Sequence, residues 1–141
     1  MIGLILVNLE KPISMKNLKY IVLFIFALSL FGCKKNQLGG KSNIKGKVMY
    51  NNTDAVPYAR VYIKYNATSF PGEDVSVYNT YIDADHNGNF LIEHIYHGDY
   101  YFYAVGVDPT TSVSNNIVKG GTALKVKMLK EVTGFVVPVT Q

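Results

Sequence analysis

The chain alternates between apolar and polar residues with a period of two from about residue 44 onward. Ile44 and Val48 occupy one phase of this pattern, and Lys45 and Lys47 occupy the other. Successive side chains of a β-strand point to opposite faces, so the alternation predicts strands with one buried face. Comparable runs occur at residues 44–50, 61–65, 75–81, 90–92, 100–106, 124–128 and 135–139.

Turn-forming residues separate these runs, and they lie at residues 51–54, 71–72, 87–88, 97–98, 108–109 and 120–121. Such residues favour the tight turns that join strands. No stretch after Cys33 carries a sustained period of 3.6. Strands with a single apolar face must bury it against a second sheet. The pattern therefore predicts a single all-β domain, folded as a two-layer antiparallel sandwich.

Residues 15–33 have a different pattern, typical of a bacterial lipoprotein signal peptide. Lys16 and Lys19 precede an apolar run of about 12 residues, which ends in Gly32 and Cys33. A membrane-spanning helix needs roughly 20 apolar residues, so a signal-peptide core fits this length better. A small residue directly before a cysteine is what lipoprotein signal peptidase requires, and Cys33 is therefore the expected lipidation site.

This assignment divides the chain into three parts. We expect residues 1–32 to be a signal peptide, with translation beginning at Met15 rather than Met1. Residues 33–42 are polar and contain glycine, which predicts a short flexible tether between the lipid and the domain. Residues 43–141 form the β-sandwich domain. The expected location is the bacterial cell envelope, with the membrane reached through the lipid on Cys33.

The side of the membrane is predicted from the residues after the cysteine. Residues 34–36 are not acidic, whereas acidic residues at this place are a common export cue in surface lipoproteins of the Bacteroidetes type. We therefore expect attachment to the outer membrane, facing the periplasm. Exposure at the cell surface stays open as an alternative.

Charge and cysteine content narrow the range of functions. The net charge of +4 arises before Lys41, because the chain from Lys41 onward carries nine basic and nine acidic residues. The domain therefore lacks the basic surface that nucleic-acid binding requires. Cys33 is the only cysteine, so no disulfide supports the domain and its stability must come from packing.

Several motifs resemble those of the carboxypeptidase regulatory-like domains. Residues 44–48 and 56–61 are similar to that family's Gly-x-Val strand and the Pro-x-Ala-x-Val strand that follows it. Residues 83–90 and 98–104 are similar to its Asp-containing turn and its Gly-x-Tyr strand. The resemblance implies a transthyretin-like (prealbumin-like) Greek-key sandwich of about seven strands. It also implies a non-catalytic module that works beside enzymes or in surface assemblies.

Tyr100 has a further role that the residues themselves suggest. It follows Gly98 by two residues at the start of a predicted strand. This placement is typical of a tyrosine corner, in which the ring enters the core and the hydroxyl binds nearby backbone.

The residues with potential metal chemistry lie around two turns. Asp83, Asp85 and Asn87 reproduce the first half of a calcium-binding loop, but the expected glutamate at the twelfth position is His94. The alternative is a polar hairpin turn whose carboxylates bind its own amides. A zinc site is a second possibility, with three histidines close in sequence: His86, His94 and His97. We expect neither a metal nor another cofactor.

No sequence signature of catalysis is present. The chain contains no H-E-x-x-H, G-x-S-x-G or P-loop motif. A triad of Ser112, His97 and Asp108 is conceivable, but no local signature supports it. We therefore expect the protein not to be an enzyme.

Tyrosine is abundant, with 11 copies and no tryptophan in the chain. Four tyrosines occupy the phase opposite the predicted core: Tyr62, Tyr78, Tyr101 and Tyr103. Aligned on neighbouring strands they form an exposed aromatic face, which suits a protein partner or a sugar ring. Tyrosine also favours strands without any ligand. The predicted function is a structural or protein-interaction module on a lipid anchor, and the alternative is a carbohydrate-binding module.

Overall fold

The computed structural model describes residues 38–111 and 116–141. Over these residues the chain forms eight β-strands and no α-helix, which confirms the predicted all-β class, with eight strands where about seven were expected. The strands are β1 (Leu38–Tyr50), β2 (Asp54–Ala55), β3 (Arg60–Tyr65), β4 (Thr80–Asp83), β5 (Asn89–Ile95), β6 (Gly98–Val107), β7 (Ile117–Val126) and β8 (Val132–Val139).

The strands form two four-stranded sheets. In the first sheet, β1 lies between β8 on one side and β5 with the short β2 on the other. The second sheet has the order β4-β3-β6-β7. Every pairing is antiparallel except that of β1 with β8, which is parallel. The expectation of a wholly antiparallel sandwich is wrong at this pair, because β8 returns beside β1 in the same direction.

The core lies between the two sheets and follows the period-two pattern. Gly46 leaves room for the ring of its direct partner on β5, since a Cβ atom there would lie 2.3 Å from Cζ of Phe90. The ring of Phe90 also contacts those of Phe102 and Phe135, at centroid distances of 6.5 and 6.3 Å. The largest fully buried side chains are Ile44, Val48, Val56, Val61, Ile63, Ile95, Tyr100, Phe102, Val118, Val126, Val137 and Val139.

Tyr100 confirms the predicted tyrosine corner. Its ring is completely buried, and its hydroxyl donates a hydrogen bond of 2.7 Å to the carbonyl oxygen of Tyr96. Gly88 has the expected positive φ, at +75°, but its turn joins strands of different sheets and not the two strands of a hairpin. Glycine tolerates this left-handed conformation without steric cost.

Two sequence-based assignments of local structure are wrong. Residues 75–79 were expected to begin a strand, but Val75–Val77 is a 3-10 turn, and the side chain of Asp74 accepts a hydrogen bond from the Ser76 amide at its start. Gly120 and Gly121 were expected to form a turn, but they lie inside β7. A Cβ atom added to Gly120 would lie 2.4 Å from the carbonyl oxygen of Pro138. One added to Gly121 would lie 2.3 Å from the carbonyl oxygen of Phe102.

The start of β1 overlaps the predicted tether. Leu38–Tyr50 is one strand, and both Ser42 and Leu38 pair with Ile95 across a bulge in the register. Ser42 is buried, so residues 38–42 are part of the domain rather than a flexible linker. The predicted signal peptide, residues 1–32, and Cys33 lie outside the described residues. No helix in the described part of the chain is long and apolar enough to cross a membrane.

The sandwich has two ends, which we call proximal and distal. At the proximal end β1 begins, β6 begins at Gly98 and β7 ends at Val126. The hydroxyl of Ser42 joins the two sheets there by donating a hydrogen bond of 3.3 Å to the Lys127 carbonyl oxygen. The distal end carries the β4–β5 turn, the start of β3 and the pairing of Val107 with Ile117.

Candidate functional site

The structure brings the four predicted tyrosines to the outer face of the second sheet. Tyr62 and Tyr103 are direct partners on β3 and β6. Their ring centroids lie 6.4 Å apart, and the ring of Tyr78 stacks on Tyr103 at 5.7 Å. Tyr101 lies farther along β6 and joins the group through the ring of Phe70, at 5.8 Å. The four side chains therefore lie together, although Tyr78 belongs to the connection before β4 and not to a strand.

Their exposure differs from the expectation of an open aromatic face. Residues 66–79, the connection between β3 and β4, fold over this side of the sheet and form an outer strap. The ring of Phe70 in this strap lies 5.4 Å from that of Tyr103. Tyr103 is consequently only 4% exposed and is not available to a ligand. The expectation fails here because alternation identifies the face of a strand but not what covers it.

Polar contacts fix the outer strap in place. Nζ of Lys119 forms an ion pair of 2.6 Å with Glu73. Nζ of Lys64 donates a hydrogen bond to the carbonyl oxygen of Val77, and the hydroxyl of Tyr78 donates one of 2.8 Å to the carbonyl oxygen of Gly72. Burial raises the pKa of Tyr78 to about 12. The strap and the tyrosines beneath it thus form a second, smaller packed region.

Other side chains at the distal end are truly exposed, and we call Tyr58, Arg60, Tyr81 and Asp83 the distal patch. Tyr58 is 73% exposed and Tyr81 is 55% exposed. The guanidinium of Arg60 lies over the ring of Tyr81, 4.4 Å from its centroid. Arg60 also donates two hydrogen bonds to the Asp83 carboxylate, at 2.7 and 3.1 Å, and this contact lowers the pKa of Asp83.

The distal patch borders a shallow depression of about 430 Å³, lined by Tyr58, Arg60, Tyr62, Asp83, Ala84 and Val105. Its walls carry aromatic rings and one charged, hydrogen-bonding pair. Such a combination offers apolar contact area together with donors and acceptors of fixed geometry. The depression is therefore suited to binding rather than to catalysis of a particular reaction.

The backbone holds Tyr58 in place although its side chain points into solvent. Its neighbours Val56 and Ala59 are fully buried, and its amide donates a hydrogen bond of 3.0 Å to the Asp85 carbonyl oxygen. Tyr58 has a φ of +55°, a conformation that costs a bulky L-residue energy. Sequence reasoning missed Tyr58, Arg60 and Tyr81. Nothing in the local sequence reveals the backbone angle of Tyr58 or the exposure of these three side chains.

The calcium candidate Asp83, Asp85 and Asn87 does not assemble as a metal site. Asp83 binds Arg60, whereas Oδ1 of Asp85 accepts hydrogen bonds of 2.8 Å from the amides of Asn87 and Asn89. These bonds lower the pKa of Asp85. The carboxylates thus stabilise the turn, as the alternative interpretation expected. Among residues 38–111 and 116–141, no group of three His, Cys, Asp or Glu side chains could hold a metal ion.

The structure also separates the other candidate constellations. His86 lies before β5 at the distal end, while His94 and His97 lie at its other end, roughly 20 Å away along a strand of seven residues. His97 and Asp108 flank the ten-residue β6 at opposite ends, roughly 30 Å apart. Neither a three-histidine zinc site nor the conceivable catalytic triad is therefore formed, and Ser112 lies outside the described residues.

Comparisons with known proteins give little further information. No protein-family model and no curated protein sequence matches this chain. One similar crystal structure, at 2.61 Å resolution, is that of a Pseudomonas aeruginosa protein described as a "putative carbohydrate binding protein". The similarity covers 75% of this chain and 92% of that one, with 16% identity and a TM-score of 0.42. A likeness this weak establishes neither a shared fold nor a shared function.

Proposed function

We propose that this protein is a non-catalytic interaction module of the bacterial cell envelope, anchored by a lipid on Cys33. In this proposal it is attached to the outer membrane, faces the periplasm and binds a protein partner through the distal patch. The observation that carries the proposal is the rigid display of Tyr58, an exposed aromatic side chain on a backbone fixed from both sides.

An exposed tyrosine on a fixed backbone, close to an arginine, is suited to binding. Tyrosine and arginine are the residue types that most often dominate protein interfaces. A tyrosine on a fixed backbone loses little conformational entropy when it binds. The positive φ of Tyr58 costs about 1 kcal/mol in the free protein, and exposure of its side chain gives no packing energy in return. A residue that is unfavourable for folding is expected where it serves another purpose.

The position of the distal patch is consistent with the anchor. Arg60 pairs with Val105 near the end of β6, whereas β1 begins at the proximal end. The ten residues of β6 span roughly 30 Å. A lipid attached shortly before β1 would therefore leave the distal patch on the side of the domain away from the membrane, where a partner can reach it.

The test separates binding from folding with Tyr58→Gly. Glycine relieves the cost of the positive φ, although it also has more entropy to lose on folding. We expect a free energy of unfolding within about 0.5 kcal/mol of the wild type, or higher, and loss of partner binding. A loss of stability above about 2 kcal/mol would mean that Tyr58 serves the fold.

Binding is best measured by site-specific photo-crosslinking of the full chain in its native membranes. A photoreactive residue at position 58 should give a defined crosslinked product, and the same residue at Leu91, exposed on the other sheet, should not. Arg60→Ala should reduce the product. Equal products at positions 58 and 91, or none at 58, would contradict the proposal.

Carbohydrate binding is a second candidate, favoured by the depression beside the distal patch. Aromatic rings can stack on sugar rings, and the Arg60–Asp83 pair offers hydrogen bonds to hydroxyl groups. A glycan array distinguishes the two candidates. Retention that is abolished by Tyr58→Gly would establish the carbohydrate function. The matched control is Tyr101→Ala, because Tyr101 lies under the outer strap and away from the depression.

We also propose that the domain belongs with the carboxypeptidase regulatory-like domains and has the Greek-key connections of transthyretin-like sandwiches. The tyrosine corner at Tyr100 and the turn at Gly88 support this, since both occur where the motifs predict them. An experimental structure compared with that family tests the assignment. Incorporation of labelled palmitate, abolished by Cys33→Ser, tests the anchor, and mass spectrometry of the unprocessed precursor tests a start at Met15.

A further inference from the structure

The proximal end carries an apolar tip that is exposed among the residues the structure describes. Met128 and Leu129 form the turn between β7 and β8 and are 67% and 68% exposed. Leu129 has a φ of +54°, which is an uncommon conformation for a bulky residue. Two adjacent large apolar side chains in water, one of them on an unfavourable backbone, give no benefit to folding.

Three lysines lie near the apolar tip, and two of them flank it in the sequence. Lys41, Lys127 and Lys130 are exposed, and none of them has an ion pair within the described residues. Lys41 belongs to this group because Ser42, the next residue, binds the Lys127 carbonyl oxygen. The proximal end therefore combines apolar side chains with several unpaired positive charges.

Acidic residues at this end do not cancel the positive charge. Glu131 forms an ion pair of 2.6 Å with Lys45, and Asp99 lies 3.9 Å from Nζ of Lys125. Glu93 remains as the acidic residue near the end of β5 without an ion pair in the described part of the chain. Three unpaired lysines against one glutamate leave a positive surface around Met128 and Leu129.

The covalent chain places this surface close to the proposed lipid. Leu38, at the start of β1, follows Cys33 by five residues, and an extended chain of that length spans at most about 18 Å. We propose that the proximal end is a membrane-docking surface, with Met128 and Leu129 inserted among the lipids and the lysines against anionic phospholipid headgroups. This inference rests on the lipid anchor of the proposed function and adds a second contact with the membrane.

Docking and anchoring strengthen each other. A lysine near an anionic membrane increases binding about fivefold. Three lysines and a short apolar tip therefore give the domain only a weak affinity for the membrane when it has no lipid on Cys33. An acyl chain on Cys33 keeps the tip at a high effective concentration near the surface, where even a weak contact is occupied. The docked domain stands on its proximal end and presents the distal patch away from the lipid.

The first test uses the chain from Cys33 onward with Cys33→Ser, which removes acylation but keeps the compact unit and its core. It should co-sediment with vesicles of phosphatidylglycerol and phosphatidylcholine and not with phosphatidylcholine alone, and salt should weaken binding. Met128→Ser with Leu129→Asn should reduce binding at least tenfold. Asparagine tolerates positive φ, so this variant should fold normally.

A matched control removes exposed apolar side chains at the other end. Val107→Thr with Ile117→Thr alters a cross-strand pair at the distal end and should leave vesicle binding unchanged. Substitution of all three unpaired lysines by glutamine should reduce binding about 100-fold. An equal loss of vesicle binding in the control and in the tip variant would overturn the docking proposal. Binding to phosphatidylcholine vesicles as strong as to the anionic vesicles would also overturn it.

The second test uses the acylated chain that begins at Cys33, in the same anionic vesicles, and measures how deeply a side chain enters the membrane. A fluorophore on Leu129→Cys should be quenched by spin-labelled lipids, and one on Ile117→Cys should not. Equal quenching at both positions refutes docking while leaving the anchor intact. Failure of palmitate incorporation refutes the anchor, whereas vesicle binding of the Cys33→Ser chain is measured independently of it.

Discussion

The hydrogen bond of the tyrosine corner gives the sharpest test of the fold. The Tyr100 hydroxyl donates to the Tyr96 carbonyl oxygen over 2.7 Å, from a ring that is completely buried. Tyr100→Phe keeps the ring and removes only this oxygen. A typical hydrogen bond contributes about 1 kcal/mol, and a buried carbonyl left without a partner costs somewhat more. We expect the free energy of unfolding to fall by about 1–2 kcal/mol.

This loss is measurable by thermal and urea denaturation. For a domain of this size, about 1 kcal/mol corresponds to roughly 4–8 °C in Tm, so the loss of about 1–2 kcal/mol should lower Tm by roughly 4–16 °C. Tyr81→Phe is the control, because the Tyr81 side chain is exposed and its substitution should change stability by less than about 0.5 kcal/mol. Equal stability of Tyr100→Phe and the wild type would show that the hydroxyl does not support the fold.

The same bond predicts a dependence on pH. Burial raises the pKa of Tyr100 above its ordinary value near 10. Because folding raises the pKa of Tyr100, the contribution of its hydroxyl to stability is complete below about pH 10. That contribution is lost as the pH rises further. Above about pH 10 the tyrosine ionises in the unfolded chain, whereas the buried Tyr100 keeps its proton and its hydrogen bond, so the rising pH stabilises the unfolded state. The stability difference between wild type and Tyr100→Phe should therefore narrow above about pH 10.

Three further predictions concern the outer strap and the core. Burial raises the pKa of Tyr78 to about 12, so this side chain should stay neutral between about pH 10 and 11. Tyr78→Phe should therefore leave the tyrosinate absorbance of the folded protein unchanged in that range. A clearly lower absorbance in the variant would show that Tyr78 has an ordinary pKa. Phe70→Ala removes a ring that covers Tyr103 and should accelerate the nitration of Tyr103 by tetranitromethane, measured by mass spectrometry. Rapid nitration of Tyr103 in the wild type would show that the outer strap does not cover it. Gly46→Ala places a Cβ atom 2.3 Å from Cζ of Phe90 and should lower the free energy of unfolding by about 1–3 kcal/mol; unchanged urea denaturation would mean that the core accommodates it.

Local sequence patterns determined much of the architecture. Period two identified the buried positions Val61, Ile63 and Phe102, because burial of one face of a strand requires that spacing. The predicted turn at Gly88 is present, since the need for positive φ is visible in the sequence as glycine. The tyrosine corner was also predictable, because the hydroxyl of Tyr100 binds a residue only four positions away.

Contacts between distant residues were not predictable in this way. Nothing in residues 132–139 shows that β8 lies parallel to β1. Gly120 and Gly121 have the composition of a turn but lie within a strand, where neighbouring backbone leaves no room for a Cβ atom. The sequence also placed Met128 on a buried phase, whereas β7 ends at Val126 and Met128 is exposed.

The same distinction between local pattern and long-range contact applies to the candidate site. The sequence by itself determined that Tyr62 and Tyr103 each point away from the core, because the side-chain direction in a strand follows from position alone. Only the tertiary structure decided that the outer strap buries Tyr103 and leaves Tyr58 and Tyr81 exposed. Exposure depends on which distant segment packs over a face, and the free energy of that packing is a sum over contacts that no local pattern contains.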